Sequence, residues 1–194
     1  MKLFKILSLV VGLISSINIA IAQDNYSLST QVVTINGTSN LHGWHENVEK
    51  VTGKIEVKQN ADKSLSLQGL SIIVNVNSIK SDESGMNSRT YKALKADKFP
   101  EITFALIEPL ANIPAGAKAH SASAIGHLTI AGVTRSIIIP VKITLDEDKK
   151  ITVDGVQQVK MTDYGIDPPT ALLGMLKTGD VVIIDFKTSF SSMN

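Results

Sequence analysis

The stretch "AIGHLTIAGVTRSIIIPVKITL", residues 124–145, holds two apolar alternations and the turn between them. Ala124, Gly126, Leu128 and Ile130 share one side of an extended chain; Ile137, Ile139, Val141, Ile143 and Leu145 share one side of the next. Successive side chains of a strand point to opposite faces, so each run reads as a strand with one buried face. The intervening "AGVT" at 131–134 is a turn signal.

The same period extends in both directions. Upstream, Val51, Gly53, Ile55 and Val57 oppose Thr52, Lys54, Glu56 and Lys58, and Ile102, Phe104 and Leu106 repeat the pattern. Downstream, Val182, Ile184 and Phe186 form a further apolar face. Turn signals separate the runs: "NADKS" at 60–64, "EPLANIPAGAK" at 108–118, "DEDKK" at 146–150 and "KTGD" at 177–180. Strands are expected at 29–35, 48–58, 66–79, 101–108, 120–130, 136–145, 151–161 and 180–190. About eight short, regularly spaced strands suggest an all-β antiparallel barrel or sandwich.

Two segments break the rhythm. In "SDESGMNSRTYKALKADKFP", residues 81–100, Ser84 is placed to cap a helix running to about Lys95, with Arg89, Lys92 and Lys95 as a basic stripe. "MTDYGIDPPTALLGML", residues 161–176, holds Pro168-Pro169 and then an apolar turn of possible helix. Both are candidate lids over a barrel end.

Residues 1–22 carry Lys2 and Lys5, an apolar run and Ala20-Ile21-Ala22, which reads as a secretory signal. Cleavage after Ala22 leaves Gln23 first; the chain has no cysteine, hence no disulfide framework and no lipid anchor on a terminal cysteine. The expectation is one domain, residues 23–194, released to the periplasm or secreted. Without Lys2 and Lys5 the basic residues number 17 against 18 acidic, which gives no electrostatic footprint for nucleic acid. No later apolar stretch approaches the roughly 20 residues of a membrane helix. An outer-membrane barrel would want aromatic girdles, and past residue 22 the chain has few aromatic residues.

Chemistry is sparse. His42, His45 and Glu46 suggest a metal site, but residues three apart on a strand face opposite ways and no cysteine completes a tetrahedral set, so the histidines read as loop and rim residues. His120 and His127 read as surface residues. No G-x-S-x-G elbow exists, "KTG" at 177–179 lacks an S-x-x-K partner, and "GHLTIAG" has neither the spacing nor the helix of a phosphate loop. An enzymatic reading would rest on Tyr164, Asp163 and His45. "NYS" at 25–27 and "NGT" at 36–38 match a glycosylation pattern common by accident.

What remains is the apolar interior. An eight-stranded barrel can be filled by its own side chains or hold one small ligand, and its inward residues here are mostly Val, Ile, Leu, Ala and Gly. "KVTGKIEV", "NSRTYKALKADKFPEITFAL", "GHLTIAGVTRSIIIPVKI" and "VKMTDYGIDPP" followed by "TGDVVIIDFK" resemble, in order and spacing, the YceI-like polyisoprenoid-binding family. That resemblance implies an eight-stranded antiparallel lipocalin-like barrel with one or two short helical segments, exported, holding an isoprenoid chain or similar lipid in an apolar cavity. It matches Ile102 and Phe104, then Leu128 and Ile130, to inward pairs, and Arg89 to the arginine opening the helical segment. Where many members have a histidine-serine pair entering the first strand, this chain reads "STQVVTINGTSNLHGWH".

The expected cavity lining and rim is then Trp44, His45, Val51, Ile55, Arg89, Ile102, Phe104, Leu128, Ile130, Ile137, Ile139, Ile184 and Phe186, with Gly53 beside Val51. Trp44 and His45 are placed at the rim, where an indole offers an apolar body and one N–H donor. The expected cargo is an isoprenoid quinone, polyprenyl compound or similar amphiphile, with no catalytic residue, metal or cofactor beyond it, and a homodimer is open. The alternative is an envelope stress or interaction protein with a packed barrel that acts through its surface.

Overall fold

The computed structural model describes residues 23–83, 85–114, 119–146 and 148–193; the expected signal sequence and the expected Ser84 cap lie outside them. Eight strands close on themselves: β1 (Gln23–Ser39), β3 (Val51–Gln59), β4 (Leu65–Asn75), β6 (Glu101–Leu106), β8 (His120–Ile130), β9 (Val133–Leu145), β10 (Ile151–Lys160) and β12 (Leu176–Ser192). Around the barrel the order is β12, β10, β9, β8, β6, β4, β3, β1 and β12 again, with every neighbour antiparallel. Closure removes the exposed edges that a sheet of this size would otherwise present. These are the eight strands expected from the alternation.

Four short strands were not expected: β2 (Gly43–Val48), β5 (Ile79–Lys80), β7 (Leu110–Ile113) and β11 (Thr170–Ala171). Strand β2 matters most, because the His42–Glu46 region is extended rather than looped. It pairs with the last third of β1, Thr34 opposite Asn47 to Thr38 opposite Gly43, while β3 pairs with the first third. "KTGD" is likewise not a turn. It lies within β12, held extended by Thr170 opposite Lys177 on one side and Ser39 opposite Thr178 on the other.

The turn in the opening stretch is a two-residue hairpin: Ile130 faces Val133, and Ala131 and Gly132 take φ of 49° and 81°. Positive φ at both central positions suits the right-handed twist of the flanking strands.

The helix α1 spans Met86–Ala93, begins after Gly85 at φ 72° and ends at Leu94. It is shorter than expected because Lys95 turns left-handed, φ 55°, and the Ala96 and Lys95 amides donate back to the Tyr91 and Lys92 carbonyls, which closes the helix end. The basic stripe therefore splits. Arg89 is half-buried, Lys92 is exposed, and the Lys95 Nζ donates to the Gly165 carbonyl at 3.2 Å.

Along its axis the barrel has three layers. At the far end Tyr26, Ile55, Leu67, Ile143, Ile151 and Phe190 are at most 4% exposed and pack against one another as a plug. Each such burial contributes about 1.5–3 kcal/mol. In the middle the small side chains of Val33, Val51, Ala124, Val141 and Val153 stand among larger ones such as Phe104, Leu128 and Phe186, and the fill is incomplete. At the near end α1, β2 and the start of β12 surround a mouth.

Pairing between β9 and β10 covers Val141–Leu145 against Ile151–Gly155 and, among the described residues, goes no further. Pro140 has no N–H to continue the ladder. Its carbonyl sits so close to Gly155 that a methyl there would lie 2.6 Å from that oxygen.

Candidate functional site

Two cavities follow one another inside the barrel. The mouth cavity, about 150 Å3, runs between α1, β2, the Met161–Tyr164 turn and β12. The middle cavity, about 140 Å3, is walled by β3, β4, β6, β8, β9 and β12. Ile102 and Ile184 line both, so the two spaces meet at this pair. At about 10–15 Å3 per water, each could take on the order of ten waters, room for a linear apolar chain of several carbons in each.

The middle cavity is apolar but for Gln157 and Thr188. Thr188 turns its hydroxyl to the Val153 carbonyl, 3.0 Å, and the Gln157 amide donates to the Gln158 carbonyl, 2.7 Å. Both polar groups are thus occupied by backbone. The space prefers hydrocarbon to water.

The mouth differs. Ile35, Ile79, Met86, Leu94 and Val182 supply apolar wall, but Ser39, His42, Glu46, Glu83, Arg89, Thr90 and Thr178 also reach it. Glu46 is 2% exposed, the one buried carboxyl among the described residues. The Thr90 hydroxyl on α1 donates to its Oε1 at 2.7 Å. Burial raises the Glu46 pKa above the usual carboxylate range, and the nearby charge of Glu83 adds to this while the Thr90 hydrogen bond opposes it. Trp44 lies over Gly37, where a methyl would fall 2.1 Å from the ring, and its N–H donates to the Thr38 carbonyl at 3.1 Å.

Of the residues expected to line a cavity, Trp44, Arg89 and Ile130 wall the mouth, Val51, Phe104, Leu128, Ile139 and Phe186 wall the middle, and Ile102 and Ile184 wall both. Three lie elsewhere. His45 is exposed, because β2 alternates and Trp44 and Glu46 straddle it: Glu46 faces inward and His45 outward. Ile55 is fully buried in the far-end plug, and Ile137 is half-buried against the core rather than on a cavity wall. Gly53 sits on the inner face, where a methyl would lie 2.7 Å from Ile72.

In the sequence Glu46 reads only as a third ligand beside His42 and His45; in the strand β2 its alternation with Val48 turns it inward. Thr90 and Met86 carry no sequence signal beyond their helix. The Arg89 guanidinium folds back over the start of α1, 3.1 Å from where a methyl on Gly85 would be. His42 is exposed with Nδ1 2.7 Å from the Gly43 carbonyl, and the His127 ring meets the Ser136 hydroxyl at 3.2 Å on the outer surface. Among the described residues no three His, Asp or Glu side chains gather as a metal site. Tyr164 is buried, with its pKa raised first by burial and then by the Asp163 charge, and neither it nor Asp163 lines the cavities. None of the helices formed by the described residues is long and apolar enough to cross a membrane.

The family model described as a YceI-like domain matches residues 20–190. Among solved structures, a polyisoprenoid binding domain from Saccharophagus degradans, implicated in plant cell wall breakdown, superposes with a TM-score of 0.69 at 14% identity, over 86% of this chain and 98% of that one. BcnA from Burkholderia cenocepacia gives 0.61 at 19% identity, over 82% and 95%, and the YCEI protein of Campylobacter jejuni gives 0.55 at 17%, over 77% and 84%. No curated protein matches the chain. At these identities the structures share the barrel.

Proposed function

Because the chain belongs to the YceI-like family, we propose that it is an exported binding protein whose barrel holds a polyisoprenoid, of quinone or polyprenyl type, or a similar long apolar amphiphile, for transport, storage or sequestration. The observation that carries this reading is the pair of cavities that share Ile102 and Ile184, apolar in the middle and polar only at the mouth. An amphiphile has the same polarity along its length: tail inward, head at the mouth. A structural neighbour is itself a polyisoprenoid-binding domain, and the leader-like residues 1–22 support export.

The energetics suit a carrier. Burying a five-carbon unit is worth up to about 4 kcal/mol at ~0.8 per carbon, and the cost of ordering ligand and loops still leaves useful affinity from a few units. No bond need be made or broken. A surface-acting protein with a packed barrel would have no reason to leave the middle layer unfilled, since voids cost packing energy.

The test is organic extraction of protein purified from its native host, followed by mass spectrometry. The expected result is a co-purifying prenyl lipid, lost in Phe104→Asp, which places a carboxylate in the apolar middle; the same preparation should begin at Gln23. If no lipid is extracted and added polyprenyl compounds do not bind, the reading is wrong.

A further inference from the structure

The mouth cavity contains a carboxyl where hydrocarbon would pack more cheaply. Thr90 binds Oε1 of Glu46, and among the described residues no other group bonds that carboxyl. Among the described residues no fully buried side-chain oxygen or nitrogen lacks a partner, so Oε2 is not sealed off: it opens onto the cavity that Glu46 lines. Glu46 is 2% exposed overall, and an acid oxygen that turns to a ligand-sized space without a partner among the described residues calls for one from outside the fold.

We propose that Glu46, positioned by Thr90, is the hydrogen-bond donor that seats a neutral head group bearing an acceptor oxygen, a ketone, quinone or amide carbonyl, at the mouth of the barrel. This rests on the carrier reading and deepens it by naming the head-group chemistry.

Two features decide for a neutral head against a phosphate. First, beside Glu46 the mouth is lined by one acidic side chain, Glu83, and one basic one, Arg89, so it presents no excess of positive charge for a phosphate, and the Arg89 guanidinium folds over Gly85 at the start of α1. Second, burial keeps the proton on Glu46 above the usual carboxylate range. A protonated carboxyl donates to a carbonyl; an ionised one repels an anion and has no proton to give a ketone. His42, from the loop before β2, is the remaining titratable side chain on that wall.

The experiment compares three probes of one tail type on the purified full-length mature protein: geranylgeranylacetone, the hydrocarbon of matching chain length, and geranylgeranyl monophosphate. Binding is read from the fluorescence of Trp44, the only tryptophan, which lines the same mouth. At pH 4.5 or below, where a value raised from 4.5 keeps Glu46 protonated, the ketone should bind about fivefold to tenfold more tightly than the hydrocarbon, the yield of one net hydrogen bond, and more tightly than the monophosphate. Glu46→Leu should abolish the preference for ketone over hydrocarbon. Glu46→Gln, whose amide still donates, should keep it and should hold it constant to about pH 8, whereas the wild type loses it as Glu46 ionises. The glutamine profile also separates Glu46 from His42 and Glu83.

If the leucine variant retains the wild-type preference, if the monophosphate binds best, or if the glutamine variant shows the same pH loss, the assignment to Glu46 is overturned while the carrier reading stands. If none of the three probes binds the wild type, the carrier reading fails and takes this assignment with it. Should the leucine variant not fold, the glutamine variant and the pH profile decide alone.

Discussion

Glu46 combines two effects with opposite signs. Its ordinary value is 4.5, and burial raises it in the folded protein. Between those two values the folded state holds a proton that the unfolded chain has released, so stability falls as pH rises through that window and stays reduced above it. Glu46→Gln keeps the acceptor for Thr90 and removes the ionisation. It should therefore have a higher urea midpoint than wild type at neutral pH and an equal one below the ordinary carboxylate value; equal midpoints at every pH would show that the carboxyl is not desolvated. The same residue shows what the sequence leaves unreadable. "NLHGWHENV" contains two histidines, a tryptophan and a glutamate, and nothing in its composition says whether it is loop or strand. Only its pairing with Thr34–Thr38 fixes the parity that sends Trp44 and Glu46 in and His45 out.

Among the elements, the eight barrel strands were legible because each alternates over its own length, and α1 because it interrupts that alternation. Element ends were not. "KTGD" has turn composition yet is extended, held between neighbours that are distant in sequence, and Lys95 ends α1 through a left-handed turn that its residue type does not announce. The β9–β10 junction was legible only by half. Pro140 forecasts a break in the ladder, but the close approach of its carbonyl to Gly155 belongs to the folded state. Gly155→Ala should force the two strands apart where they last pair and cost about 1–3 kcal/mol, as overpacking does. Thermal or chemical unfolding reads that loss directly. A neutral result would mean that the strands can separate there without losing pairing elsewhere.

Across the whole molecule, stability and binding are divided along the barrel axis. Val51 and Ile55 share a strand face, yet Val51 walls the middle cavity while Ile55 is fully buried in the plug. Period two assigns both inward and cannot say which layer is filled, because filling depends on what seven other strands deliver at the same height. Phe190, fully buried, belongs to the plug; Phe190→Ala should cost about 3–5 kcal/mol of stability, as large cavities in packed cores do. Ile184 sits where the two cavities meet, next to space that an indole can enter, so Ile184→Trp should cost the ligand-free protein less than the ~1–3 kcal/mol that enlarging a side chain in a filled core costs, while blocking the passage and weakening a long prenyl ligand tenfold or more. Ligand added at 100 times its Kd should stabilise the wild type by about 2.7 kcal/mol, and Ile184→Trp should forfeit most of that gain. If Ile184→Trp instead unfolds the ligand-free protein as severely as Phe190→Ala, the middle layer is structural core, and the separation of a stabilising end from a receiving end does not hold.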